Sequence, residues 1–170
     1  MNLYLLRHSN AEDFPPHGES GDRQRRLTVA GREKARWIGA AIARLDLGID
    51  LILTSPAPRA RETATEVLAM LDPHPPLEEC EGLWIGGDFR PVVARLRREW
   101  KRLGNVLLVG HEPDLGRLAS QWLTGGPDLR LIFKKGGLCK LSIARLTAVR
   151  CATLEWHLTP KQLGMIAKSR

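Results

Sequence analysis

Two histidines and two arginines stand in three short motifs, each closing an apolar run. The motifs are Leu6-Arg7-His8-Ser9, Thr54-Ser55-Pro56-Ala57-Pro58-Arg59 and Val109-Gly110-His111-Glu112-Pro113. A guanidinium keeps its charge and grips phosphate oxygens with a planar fork of donors. A neutral imidazole is a competent nucleophile toward phosphorus and can carry the phosphoryl group covalently. A second imidazole, protonated, adds positive charge where negative charge develops. No cysteine nucleophile, serine triad or metal-type carboxylate cluster accompanies these groups. The combination points to phosphoryl transfer with no metal and no cofactor.

Such groups act together only if the fold brings them to one place. Leu3–Leu6, Asp50–Thr54 and Asn105–Val109 are continuously apolar, as parallel strands buried on both faces are. Segments of helical period lie between them: Ala35, Ile38, Ile42 and Leu45 after a cap at Thr28; Ala60, Ala64, Val67 and Leu71 before Pro73; Val93, Leu96, Trp100 and Leu103; and Leu115, Leu118 and Trp122 between Pro113 and Gly125. Cys139, Leu141 and Ile143 alternate with polar residues, and Val149–Trp156 completes a hairpin, with a short helix from Pro160. The alternation predicts an α/β fold: a three-layer α/β/α sandwich with a mainly parallel central sheet and a C-terminal edge hairpin. In open sheets of this kind ligands sit beyond the strand carboxyl ends, where all three motifs fall. The 170 residues suit one domain, 1–170.

The net charge of +7 suits phosphorylated ligands or nucleic acid equally. The best case for a basic nucleic-acid-binding module without enzymatic activity is the run from Arg95 to Arg102. Those residues surround a helix whose apolar stripe is needed for packing, and no nucleic-acid motif accompanies them. Cys80, Cys139 and Cys151 have neither disulfide nor zinc spacing. No stretch reaches membrane-spanning length and no leader precedes Arg7, so a cytoplasmic protein with no membrane and no nucleic-acid partner is expected. Nothing demands an oligomer.

Arg7-His8 after an apolar strand, Ser55-Pro56-x-x-Arg59-Ala60-x-x-Thr63-Ala64, Gly110-His111 and the intervening Arg26-Leu27-Thr28-x-x-Gly31 resemble the histidine phosphatase, or phosphoglycerate-mutase-like, superfamily. The short chain and Gly86-Gly87-Asp88 resemble its smallest branch, the SixA-type phosphohistidine phosphatases. The resemblance implies a phosphoglycerate-mutase-like fold and makes His8 the phosphorylated nucleophile. Arg7 and Arg59 would clamp the phosphoryl oxygens, and His111 would complete the pocket. Asn10, Arg26 and Trp84 are candidate substrate contacts, with pairing to a nearby acid the alternative role for Arg26. Ser9 stands where many members carry glycine.

Larger members protonate the leaving group with a carboxylic acid. Asp88, Glu112 and Glu81 are the candidates here, with Glu78 and Glu79 nearby, and none sits in a diagnostic motif. The implied activity is a phosphatase acting on a phosphohistidine protein, since an imidazole leaves readily once protonated. The alternative is a small-molecule phosphomonoesterase of the same fold, acting on a sugar phosphate or similar. His17, His74 and His157 read as surface or structural, and Trp37, Trp100 and Trp122 as core.

Overall fold

Parallel strands cannot be joined by tight turns and need crossover helices, which then cover the sheet faces. The computed structural model, which describes residues 1–13 and 19–169, follows this rule. Pro15, Pro16, His17 and Gly18 of the long polar loop lie outside the described residues. Asn2–Arg7 (β1), Leu51–Thr54 (β2), Leu77–Glu79 (β3) and Asn105–Gly110 (β4) are parallel, in the spatial order β3-β2-β4-β1. Leu138–Ile143 (β5) runs antiparallel to β1, and Ala152–Leu158 (β6) closes the edge hairpin. The helices are Glu19–Gln24 (α1), Val29–Arg44 (α2), Pro58–Leu68 (α3), Arg90–Arg98 (α4), Asp114–Thr124 (α5) and Pro160–Lys168 (α6).

Successive side chains of β1 point to opposite faces, and both faces are apolar. Leu3 and Leu5 join a core with Val92 and Leu96 of α4 and Leu115, Leu118 and Trp122 of α5. Tyr4 and Leu6 join a second core with Ile38 and Ile42 of α2, Ala60, Ala64 and Val67 of α3, and Leu163 of α6. The three expected layers are therefore present. Thr28 caps α2 by accepting the Gly31 N–H at 3.0 Å, and Gly125, in the left-handed region at φ 89°, ends α5.

Register decides where the chemistry sits. Arg7 pairs with Gly110, while Leu6 and Thr54 both pair with Val109. β1 and β4 thus end level and β2 one residue earlier, and His8, His111 and Ser55 each follow directly. One residue of slip in any strand would break that alignment.

Several elements differ from the sequence expectation. β3 was not anticipated: its three residues sit on the sheet edge directly after Pro75-Pro76 and include two acids. β6 begins at Ala152 rather than Val149, because Arg150 adopts φ 46° before the strand starts. α4 buries Val92 with Leu96 and ends at Arg98, so Trp100 and Leu103 reach the core from beyond the helix. Trp37 is not core. It is 49% exposed, with the Lys168 ammonium 5.2 Å from its ring.

Gly31 couples the first helix layer to the loop that carries His8. A Cβ at this position would stand 2.0 Å from the Asn10 carbonyl oxygen, which accepts the Thr28 N–H at 3.1 Å. Gly31→Ala must therefore push the loop away from α2. Overpacking of this kind costs about 1–3 kcal/mol, so a fall of roughly 3–10 °C in Tm is expected by thermal denaturation. An unchanged Tm would contradict the close approach.

Candidate active site

The backbone around His8 is held from three sides. Its N–H donates to Gly110 O at 3.0 Å, at the end of β4. The carbonyls of Arg7 and His8 both accept the Gly136 N–H, at 3.1 and 3.2 Å, from the Lys134–Gly137 turn before β5. Gly136 has φ 82°, which glycine adopts without strain. The Ser9 N–H donates to Thr63 Oγ1 at 3.0 Å, and that hydroxyl donates to Arg59 O at 2.7 Å. Thr63 thus ties the nucleophile loop to α3, the helix that carries Arg59.

These contacts also set the proton on His8. Nδ1 lies 2.7 Å from Ser9 O, an acceptor only, so Nδ1 carries the hydrogen. Nε2 is left as the basic nitrogen, and it accepts from Arg59 Nε at 3.2 Å. His8 is 3% exposed, and burial, helped by the neighbouring His111, Arg59 and Arg7, holds its pKa well below the usual imidazole range. The ring is neutral at physiological pH with its nucleophilic lone pair on Nε2.

His111 lies with its ring centre 5.2 Å from that of His8. Its Nε2 is 2.8 Å from Ser55 Oγ, which accepts the Ala57 N–H at 3.2 Å. The pairing that uses each group once has Ser55 donating to Nε2, so the His111 proton sits on Nδ1. That nitrogen is buried and has no partner among the described residues. The protonated second histidine expected from the sequence is not the form of the free site. Burial first, then Arg59, pushes the His111 pKa down to about 3, so the ring donates as a neutral N–H.

The two guanidiniums are differently employed. Arg7 donates from Nη1 to Phe133 O at 2.6 Å, and its Nε is buried without a partner among the described residues. Arg59, 3% exposed, donates to His8 and also to Asp22, from Nη1 to the carbonyl at 2.5 Å and from Nη2 to Oδ2 at 3.0 Å. Burial lowers the pKa of both arginines, and Asp22 opposes the effect at Arg59. Asp22, on α1, also pairs with Arg25 at 2.8 Å. It was missed from sequence, because nothing marks one aspartate in a polar loop as the partner of an arginine 37 residues away. Two orphaned buried donors, Arg7 Nε and His111 Nδ1, beside a neutral imidazole make a site that calls for an oxyanion.

The other candidates are not drawn into this cluster. Asn10 is exposed and accepts from Lys34 at 3.1 Å. Arg26, its side chain 66% exposed, faces Glu62 at 3.5 Å. Trp84 is half-buried beside α1, with the Arg23 guanidinium 5.8 Å from its ring. Among the acids, Asp88 is exposed and paired with Arg90, and Glu81 is exposed. Glu78 holds Arg95 through two 2.8 Å bonds, and Glu79 holds Arg61. Of these candidates Glu112 alone neighbours the clamp: it shares a cleft with Arg7, Oε2 is buried without a partner among the described residues, and burial raises its pKa.

Residues 3–103 match the histidine phosphatase superfamily, branch 1. An uncharacterised protein of Picosynechococcus sp. strain PCC 7002 is 38% identical over 96% of this chain and 99% of its own. The protein histidine phosphatase SixA in complex with tungstate has a TM-score of 0.81 at 24% identity, covering 96% of this chain and 99% of its own. A mycobacterial glucosyl-3-phosphoglycerate phosphatase with inorganic phosphate has a TM-score of 0.67 at 18% identity, covering 94% and 98%. Structural likeness at this identity carries the fold, and the first of these confirms the phosphoglycerate-mutase-like arrangement. No helix among the described residues is long and apolar enough to cross a membrane.

Asp22 holds Arg59 by its outer edge, where an incoming oxyanion would bind. Asp22→Asn keeps the shape and removes the competing charge. Tungstate or inorganic phosphate should then bind about tenfold more tightly in calorimetry, the worth of one charge-assisted contact. Unchanged or weaker binding would show that Asp22 does not compete.

Proposed function

The chain belongs to branch 1 of the histidine phosphatase superfamily, and from that premise we propose that it hydrolyses phosphohistidine in a protein through a phosphorylated His8. The observation that carries this reading is the state of His8: neutral, with Nδ1–H fixed by Ser9 O and Nε2 basic against Arg59. As substrate arrives, the Arg59 guanidinium turns from Asp22 and Nε2 to the phosphoryl oxygens. Arg7 Nε–H and His111 Nδ1–H supply the remaining donors. Nε2 attacks phosphorus, the bond from phosphorus to the substrate nitrogen breaks, and the departing imidazole leaves protonated. Water then displaces His8 from phosphorus and inorganic phosphate departs.

Donors that meet the transferring group without rearranging lower the barrier most, because their orientation is set before the reaction. The leaving group separates phosphohistidine from alkyl phosphates. Of the acids considered, Asp88 and Glu81 are exposed and Glu112 neighbours Arg7. A phosphoramidate can leave with a proton from solvent, whereas an alkoxide needs a placed acid. Glu112, beside Arg7 and drawn toward its neutral form, is the one candidate acid for an alkoxide. The preference for a phosphohistidine protein over a sugar phosphate is therefore supported by the likeness to the protein histidine phosphatase SixA.

Incubating the protein with a phosphohistidine protein, quenching and mapping the label tests the proposal. Phosphate on His8, lost in His8→Ala, is expected, with kcat/KM for the phosphohistidine protein above that for sugar phosphates. Arg59→Ala should lower kcat/KM by about 10²-fold or more. Label on another residue, or turnover intact in His8→Ala, would overturn the mechanism. Higher kcat/KM on sugar phosphates would overturn the substrate.

A further inference from the structure

A cleft of about 450 Å³ opens beside the phosphoryl clamp, and Arg7 is part of its wall. The other walls come from the start of α5, with Glu112 and Arg117, and from the segment before β5, with Arg130, Leu131 and Ile132. Phe133, whose carbonyl fixes Arg7 at 2.6 Å, ends that segment, so the cleft and the clamp share one anchor.

The charge in this cleft is unbalanced. Among the described residues Arg130 makes no ion pair, and its side chain is exposed. Arg117, 63% exposed at its side chain, has only Asp114 at 3.6 Å, and that carboxylate also accepts the Gly86 N–H at 2.9 Å. Among the described residues Glu112 is the one acid lining the cleft, and its burial disfavours the charged form. Three guanidiniums therefore face a space in which that carboxyl is drawn toward neutrality. Ile132, 77% exposed, adds an apolar flank with Leu131.

We infer that this cleft is a second anion subsite, lined by Arg117 and Arg130, that takes a carboxylate or phosphate borne by the substrate next to the phosphoryl group being transferred. The inference rests on the reading of His8 and Arg7 given above, and adds what the substrate must carry beside its labile phosphate. A carboxylate could come from acidic residues flanking a phosphohistidine. A second phosphate could come from a small bisphosphorylated molecule. A contact to Arg7's own cleft also explains how a substrate would be aligned on the clamp before transfer.

Two matched pairs of substrates separate the sources: a phosphohistidine peptide flanked by aspartates against the same peptide flanked by asparagines, and a sugar bisphosphate against its monophosphate. kcat/KM is measured for the whole protein, Arg117→Glu and Arg130→Glu, and the ratio within each pair is compared, so that losses common to both members cancel. The expected result is a preference of about tenfold for the more anionic member of one pair, the worth of one charge-assisted contact. That preference should fall to one or below in both variants, and the pair that shows it identifies the source. A ratio near one in both pairs, or a preference unchanged in both variants, would overturn the subsite while leaving the His8 mechanism in place. Turnover of the sugar pair alone would overturn the phosphohistidine reading, and its ratio would still decide the subsite. No turnover of any of the four would overturn both.

Discussion

Arginine keeps its charge when buried, and the rest of this site adjusts to that fact. Arg59 is almost wholly enclosed, and Arg7 lies close by with one nitrogen lacking a partner among the described residues. Burial first, with these cations adding to it, drives both neighbouring imidazoles neutral, His8 well below the ordinary range and His111 to about 3. A cationic imidazole here would add a third positive charge to a region already short of anions. What remains is a nucleophile whose lone pair meets Arg59 Nε, and two buried nitrogens, Arg7 Nε and His111 Nδ1, with no partner among the described residues. One carboxylate, Asp22, offsets part of the excess by sitting on Arg59. An uncompensated buried charge is costly, so the site favours an arriving dianion and the exchange of Asp22 for it.

The sheet makes this possible by ending three parallel strands within one residue of each other. Strand register is enforced by burial on both faces, since a shift of one residue would turn Leu3 and Leu5 toward the wrong core. The groups are then fixed by backbone rather than by one another. Gly110 O and Gly136 N–H hold His8, while Thr63 links Ser9 to Arg59. The loop thus takes its geometry from β4, from the turn before β5 and from α3 at once. Stability and catalysis share these contacts, so a substitution such as Gly31→Ala acts on the site through the fold.

Much of this could be read from the amino-acid sequence. His8, Arg59 and His111 each follow an apolar run too continuous to be anything but a buried strand, and a parallel sheet sends such ends to one edge. Thr28 and Pro113 mark helix starts by their own chemistry. Properties that depend on distant neighbours were not legible. Asp22 meets Arg59 across 37 residues, and the polar stretch that carries it shows no periodicity to place it. Asn10 and Arg26 were plausible contacts by proximity in sequence, yet Lys34 and Glu62 draw them elsewhere. The charge of His111 follows from burial and from two guanidiniums, which no local motif reports. β3 was hidden because an edge strand of three residues needs no apolar run.

The protonation state of His8 carries the mechanism, and nitrogen-detected NMR of imidazole-labelled protein reads it. His8 is expected to carry its proton on Nδ1, with an unprotonated Nε2, and to keep this pattern without titration from pH 7.5 to below pH 6. A proton on Nε2, or a midpoint near the ordinary value of about 6.5, would contradict it.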